Sequence, residues 1–167
     1  LLHERISAQQ TPIEKAIDQL GRVCEVLPAR PITLWDAEYG CAPFVNGSAD
    51  IAADKVIRLR PNICLWRPPP PYSGRGRPRL HGDKFKLKDP ATWGKPAETL
   101  EVDDPQLSRV RISRWDDLHF RKSAAHPMIV VRVERLEARK TRRDPKELWI
   151  AWVGEEPPPL AEWWWLY

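Results

Sequence analysis

Four consecutive prolines, Pro68 to Pro71, interrupt the chain a little before its midpoint. Proline fixes φ and has no N–H to donate, so neither a helix nor an inner strand can pass through such a run. What remains is a stiff, extended spacer. The surrounding stretch, "RPPPPYSGRGRPRLHG", adds Gly74, Gly76 and Gly82 to Arg75, Arg77 and Arg79. Regular structure must therefore form on either side of this crossing, one piece closing near Trp66 and another opening after it.

Before the crossing, "TPIEKAIDQLGRVCEVLP" predicts a helix. Thr11 can cap it, Pro12 suits the first helical position, and Glu14 completes a capping box. Ile13, Ala16, Ile17, Leu20, Val23 and Leu27 follow helical spacing, and Pro28 stops the run. A strand from Pro31 to Trp35, a short helical or looped piece, and a second strand from Lys55 to Arg60 come next. That order suggests a βαβ-like unit with its two strands parallel in one sheet.

After the crossing, the stretch from Lys84 to about Gln106 reads as mostly loop. Its acidic "ETLEVDD" is expected to offset part of the neighbouring basic run. Three strand candidates follow: "SRVRISRW", "PMIVVRVERL" and "ELWIAWVG". The last is apolar at consecutive positions from Leu148 to Val153, which suits a central strand buried on both faces. "LAEWWWLY" looks like the first turns of a helix. The expected fold class is α/β.

At 167 residues and 19.4 kDa the chain is long enough to bury a core. It opens without methionine and closes on "EWWWLY", as a piece of a longer protein would. No apolar run reaches the roughly 18 to 20 residues of a membrane span. Cys24, Cys41 and Cys64 lack CxxC spacing, so neither a disulfide framework nor a zinc site is expected, and a reducing cytoplasm fits. The net charge is only +4, but it is concentrated. Between Tyr72 and Lys88 stand Arg75, Arg77, Arg79, Lys84, Lys86 and Lys88 against the single acid Asp83, which indicates an anionic partner or a solvated loop.

The stretch "RPITLWDAEYG" runs apolar through Ile32, Leu34 and Trp35 and then meets Asp36. In parallel sheets, functional groups gather beyond the carboxyl ends of the strands. Asp36 stands at such an end. It can cap the turn that follows, a common role for Asp after a strand. It can also be one of several carboxylates holding divalent metal for phosphodiester displacement, chemistry that needs two or three acids to converge.

"PITLWDAEYGCAPFV", followed by "KVIRLRPN", resembles the middle acid of the DDE transposases of bacterial insertion sequences. Asp36, Tyr39, Gly40 and Phe44 match the first part, and Val56, Arg58 and Arg60 the second. One branch of that family inserts a β-rich subdomain between its second and third acids. Gly74 to Leu87, Leu118 to Arg121 and Leu148 to Gly154 are similar to segments of it. The resemblance implies a partial ribonuclease-H-like core interrupted by a β-rich insertion subdomain: residues 1–66 as core, 67–156 as crossing and insertion, and 157–167 as the start of a helix returning to the core. It implies Asp36 as catalytic residue and Mg2+ ligand in a two-metal site, the other two acids lying outside the chain. It implies DNA cutting and joining at transposon ends, double-stranded DNA as partner, self-association in the DNA complex, and action at the bacterial nucleoid. Such a chain alone is expected to lack strand-transfer activity.

Arg58, Arg60, Arg75, Arg77, Arg79, Lys84, Lys86 and Lys88 form the expected DNA-binding set. Arg58 and Arg60 alternate on a strand, either as contacts near the metal or as ordinary sheet-surface charges. "GRGRPR" contains the core of an AT-hook, which lays a flat backbone in the minor groove. It can equally be a proline-rich turn; phosphate contact within a protein–DNA complex is the reading adopted here. Lys84, Lys86 and Lys88 alternate, so on a strand they share one face. Trp149 and Trp152 are expected in the core. His81, His119 and His126 are too scattered for a metal cluster, and a turn into a strand explains "DDLHFR" better than a nuclease motif does. The alternative functions are a non-catalytic DNA-binding remnant and a β-rich interaction domain.

Overall fold

The computed structural model describes residues 6, 9–104, 108–137 and 147–163. The first helix, α1 (Pro12–Val26), begins as its sequence dictates. The Thr11 hydroxyl accepts from the Glu14 amide at 3.2 Å, and the Glu14 carboxylate accepts from the Thr11 amide at 2.8 Å. Ala16 and Leu20 lie on its buried face. Strand β1 (Ile32–Trp35), the short helix α2 (Ala42–Gly47) and strand β2 (Asp54–Leu59) follow. β1 and β2 are parallel, with Trp35 opposite Ile57, as the βαβ-like order predicted.

The remaining strands are β3 (Cys64–Trp66), β4 (Lys84–Lys86), β5 (Glu98–Asp104), β6 (Ser108–Leu118), β7 (Met128–Arg135) and β8 (Glu147–Val153). Six of them make one mixed sheet in the order β1-β2-β8-β7-β6-β5, while β3 and β4 pair separately. Among the described residues only β1 and β2 are parallel; the other pairs are antiparallel. The result is a sheet-dominant α/β fold with few helices. β8 lies directly beside β2, so strands from both sides of the proline crossing share one sheet.

Both faces of that sheet are covered. On one, Ile57, Leu59, Val130, Trp149 and Ala151 meet Phe44 and Val45 of α2, Ala16 of α1, and Leu65 and Phe85 of the small sheet. On the other, Val56, Ile112, Val131, Ile150 and Trp152 meet Leu160 and Trp163. Trp149 and Trp152 thus face opposite ways from one strand, as the unbroken apolar run of β8 requires. At the outer edge the cover ends: Ile32 and Leu34 of β1 are exposed.

Several expectations need correcting. "ETLEVDD" is strand β5, not loop, because Leu100 and Val102 alternate inward against Ile112 and Val110. Glu98 and Glu101 pair with arginines of β6 and not with the basic crossing. The Glu101 carboxylate accepts from Arg109 at 2.6 Å and from Arg111 at 2.8 Å, both on the neighbouring β6. Cross-strand pairing of opposite charges makes an edge strand from a segment that looks soluble. "LAEWWWLY" opens as a single 3-10 turn, Leu160–Glu162, with Trp163 buried; Trp164 and Trp165 lie outside the described residues, as does the tip of the basic segment at 138–146. "DDLHFR" is the end of a strand and not a turn into one. β6 bulges between Trp115 and Leu118, with Asp117 at φ 57°, a conformation Asp tolerates better than most residues. The bulge turns His119 out of the large sheet to bridge Trp66 of β3.

Candidate functional site

Asp36 leaves β1 at its carboxyl end and is solvent-exposed. The turn after it closes through backbone bonds: the Tyr39 amide donates to the Asp36 carbonyl at 3.0 Å, and the Cys41 amide to the Tyr39 carbonyl at 2.8 Å. Gly40 is buried against β2, where a Cβ would stand 2.8 Å from the Arg58 carbonyl oxygen. Only glycine fits so close an approach. Trp35, Tyr39 and Phe44 pack ring against ring, with centroids 4.5 to 5.3 Å apart. Phe44 is fully buried. The acid therefore rides on a rigid platform, locked from below by three aromatic rings.

The Asp36 carboxylate accepts a hydrogen bond from the Ala37 amide at 2.6 Å through Oδ1. This is the local capping role expected of Asp after a strand. Among the described residues no three His, Cys, Asp or Glu side chains gather as a metal site. Glu38, two residues on, is exposed and paired with Arg60 at 3.5 Å. Glu147, at the same end of the sheet on β8, is held by Arg132 at 2.8 Å. As a donor, Asp36 fits magnesium: a hard carboxylate oxygen, exposed, with Oδ2 uncommitted by any hydrogen bond among the described residues. Magnesium commonly takes only one or two carboxylates, completing its octahedron with water and substrate phosphate. Asp36 can supply one such position.

Arg58 is exposed on the strand next to Asp36, and Arg60 is exposed just past that strand's end. Arg60 borders a cavity of about 270 Å³ with Glu38, Tyr39 and the start of α1. The remaining cations stand elsewhere, on an arm. β3 and β4 pair with Trp66 opposite Lys84, and the segment between them leaves the body as a long hairpin. At its root the Gly82 amide donates to the Arg67 carbonyl at 2.8 Å, and the Arg67 amide to the Asp83 carbonyl at 3.0 Å. A Cβ on Gly82 would be driven into the Pro68 carbonyl. Lys84, Lys86 and Lys88 are exposed while Phe85 and Leu87 are buried, so the lysines share one outward face as their alternation predicted. Lys86 is paired with Asp89 at 3.5 Å.

The spacing of the histidines concealed one contact. His81, at the end of the arm, and His119, at the end of β6, bring Nδ1 and Nε2 within 3.0 Å of each other. His119 is buried, and its pKa is held below the ordinary range, first by burial and then by the charge of His81. A bond to the Asp117 backbone acts in the opposite direction. They stand 38 positions apart in the sequence, and the bulge in β6 and the bridge to β3 bring them together. It ties the arm's root to the large sheet.

No helix among the described residues is long and apolar enough to cross a membrane. No curated protein and no solved structure matches the chain. A family model does match: that of the DDE superfamily endonucleases, over residues 4–122, which takes in β1, the Asp36 turn, the arm and all of β6.

Proposed function

We propose a reaction and a set of residues for this chain, which belongs to the DDE superfamily of endonucleases. The reaction is the cutting and joining of DNA ends by a transposase, through metal-dependent phosphodiester hydrolysis and strand transfer. Asp36 is the middle acid of its triad, and the other two acids stand on polypeptide flanking these residues. Residues 1–66 belong to a ribonuclease-H-like core, 67–156 to an insertion, and 157–167 to the return towards the core. Adjacent parallel strands joined through α2, with an acid at the carboxyl end of the first, support that assignment.

The observation that carries the reading is the seat of Asp36. It is an exposed carboxylate at a strand end, on a turn that Gly40 and three aromatic rings hold in place, in a chain of a nuclease superfamily. Magnesium bound there would activate the attacking oxygen and stabilise the leaving one. The chain's own part is to fix the Asp36 oxygen, to hold Glu38 away on Arg60, and to present cations to the phosphates. Arg58 and Arg60 serve the DNA nearest the acid; Arg75, Arg77 and Arg79 with Lys84, Lys86 and Lys88 serve the duplex farther out.

The test is Asp36→Ala in the enzyme expressed from its whole gene. Cleavage of a DNA substrate in magnesium should fall by about 100-fold or more, the loss typical of removing one stabiliser of transition-state charge. Duplex binding should persist. The second reading, a non-catalytic DNA-binding remnant, draws support from the Ala37 amide on Asp36. It predicts no magnesium-dependent cleavage by the wild type either.

A further inference from the structure

An AT-hook works because its Arg-Gly-Arg-Pro core is flat and extended along the minor groove. The arm carries that core at Arg75 to Pro78 but does not extend it. Gly74 has φ 79° and Gly76 has φ 74°, so left-handed residues flank Arg75 and the chain curls back on itself. The Tyr72 hydroxyl donates to the Gly76 carbonyl at 2.7 Å and closes the curl. Neither glycine has any atom near the place of a Cβ, so the curl reflects backbone conformation and not crowding.

The curl gathers the cations. Arg75, Arg77 and Arg79 border a single concavity of about 380 Å³, together with Tyr72, Ser73 and the last two prolines of the run. No acid borders it, and none of these arginines has an ion pair among the described residues. The contrast with the large sheet is plain: Arg109 and Arg111 share the Glu101 carboxylate, Arg114 pairs with Asp116, and Arg132 pairs with Glu134. Unpaired guanidinium groups arranged around a hollow match the tetrahedral oxygens of phosphate, which each can bond bidentately. The Ser73 hydroxyl adds a neutral donor at the rim.

We infer that the curled arm is a phosphate clamp, closed by Tyr72 on Gly76, that grips the sugar–phosphate backbone of duplex DNA from outside the groove. It reads no bases. The inference rests on the reading of the chain as a DNA enzyme and specifies how one of its surfaces takes hold.

The test is a salt titration of duplex binding by fluorescence anisotropy, using the whole chain and two duplexes of equal length, one AT-rich and one GC-rich. The two should bind within about threefold of each other, whereas a groove reader would separate them by about tenfold or more. Changing Arg75, Arg77 and Arg79 together to Ala should lower the magnitude of the log–log salt slope by about 3, near 0.9 for each phosphate released. Tyr72→Phe should weaken both duplexes by the same factor, because it loosens the curl without removing a cation. Gly76→Ala should also weaken binding, since an L residue disfavours the left-handed conformation the clamp needs. Circular dichroism on each variant checks that the body remains folded. A preference for the AT-rich duplex that a minor-groove ligand abolishes, or tighter binding by Gly76→Ala, would overturn the clamp in favour of a hook. An unchanged slope in the triple variant, with duplex binding retained, would overturn the clamp alone and leave the Asp36 reading to its own cleavage assay.

Discussion

The turn at Asp36 and the arm beyond Pro68 carry the two halves of the proposed reaction, and they are built in opposite ways. The turn is part of the core: Gly40 lies against the β2 backbone and Phe44 has no exposed surface. The arm is attached at its root, and a Cβ placed on Gly74 or Gly76 would meet nothing within 4 Å. The difference follows from what each end must do. A metal ligand has to be placed within about half an ångström, which only packing against a core can ensure. A cation that neutralises phosphate acts through a field that reaches about 8 Å at physiological salt, so a stalk suffices.

The largest expected effect breaks the comparison if the arm proves integral to the fold. Phe44→Ala should cost about 3–5 kcal/mol, the usual loss for a buried phenyl ring. The triple Ala change at Arg75, Arg77 and Arg79 should move stability by no more than about 0.5 kcal/mol per site, as exposed substitutions do. Urea unfolding of both variants decides this. Next in size, Gly40→Ala should destabilise by about 1–3 kcal/mol, since the new methyl must displace the Arg58 carbonyl. Because that displacement shifts the Asp36 turn, cleavage should fall along with stability. At Gly76 the same change should weaken only DNA binding.

A pH series sharpens the comparison from the arm's side. His119 has a depressed pKa in the folded chain, so below the ordinary histidine value of about 6.5 the unfolded chain binds the proton more readily. The stability contributed at this position is therefore complete above that pH and declines as the solution is acidified towards the folded pKa. His81 and the backbone of Asp117 face the His119 ring, and Arg67 and Asp83 pair through their backbones at the hairpin root nearby. Thermal melts between pH 7.5 and 5 should show the decline, and His119→Gln should flatten it. The smallest effect belongs to Glu38. Its exposed pair with Arg60 should be worth about 0–1 kcal/mol, so Glu38→Gln should barely change unfolding. A loss of cleavage in that variant would make Glu38 a second metal ligand.

Local signals accounted for the elements they govern. The capping box at Thr11 and Glu14, the alternation of Lys84, Lys86 and Lys88 about Phe85 and Leu87, and the apolar run of β8 each act over a few residues, and each was legible. β5 was not, because its acids look like loop until Arg109 and Arg111 are placed across from Glu101. The His81–His119 contact was hidden for the same reason, since it depends on a bulge at Asp117 that no spacing rule announces. At the site, the position of Asp36 at a strand end could be read directly. So could its capping of the turn that follows; the curl at Gly74 and Gly76 could not, because single backbone dihedrals decide it.

The account depends most on Asp36 serving a cation. The direct measurement is magnesium-dependent cleavage of duplex DNA by the whole-gene enzyme carrying Asp36→Ala, with duplex affinity measured alongside. The account predicts cleavage reduced by about 100-fold or more while binding is retained, because the arm and the lysine face are untouched. Cleavage at the wild-type rate would contradict it and leave Asp36 as the cap of its own turn.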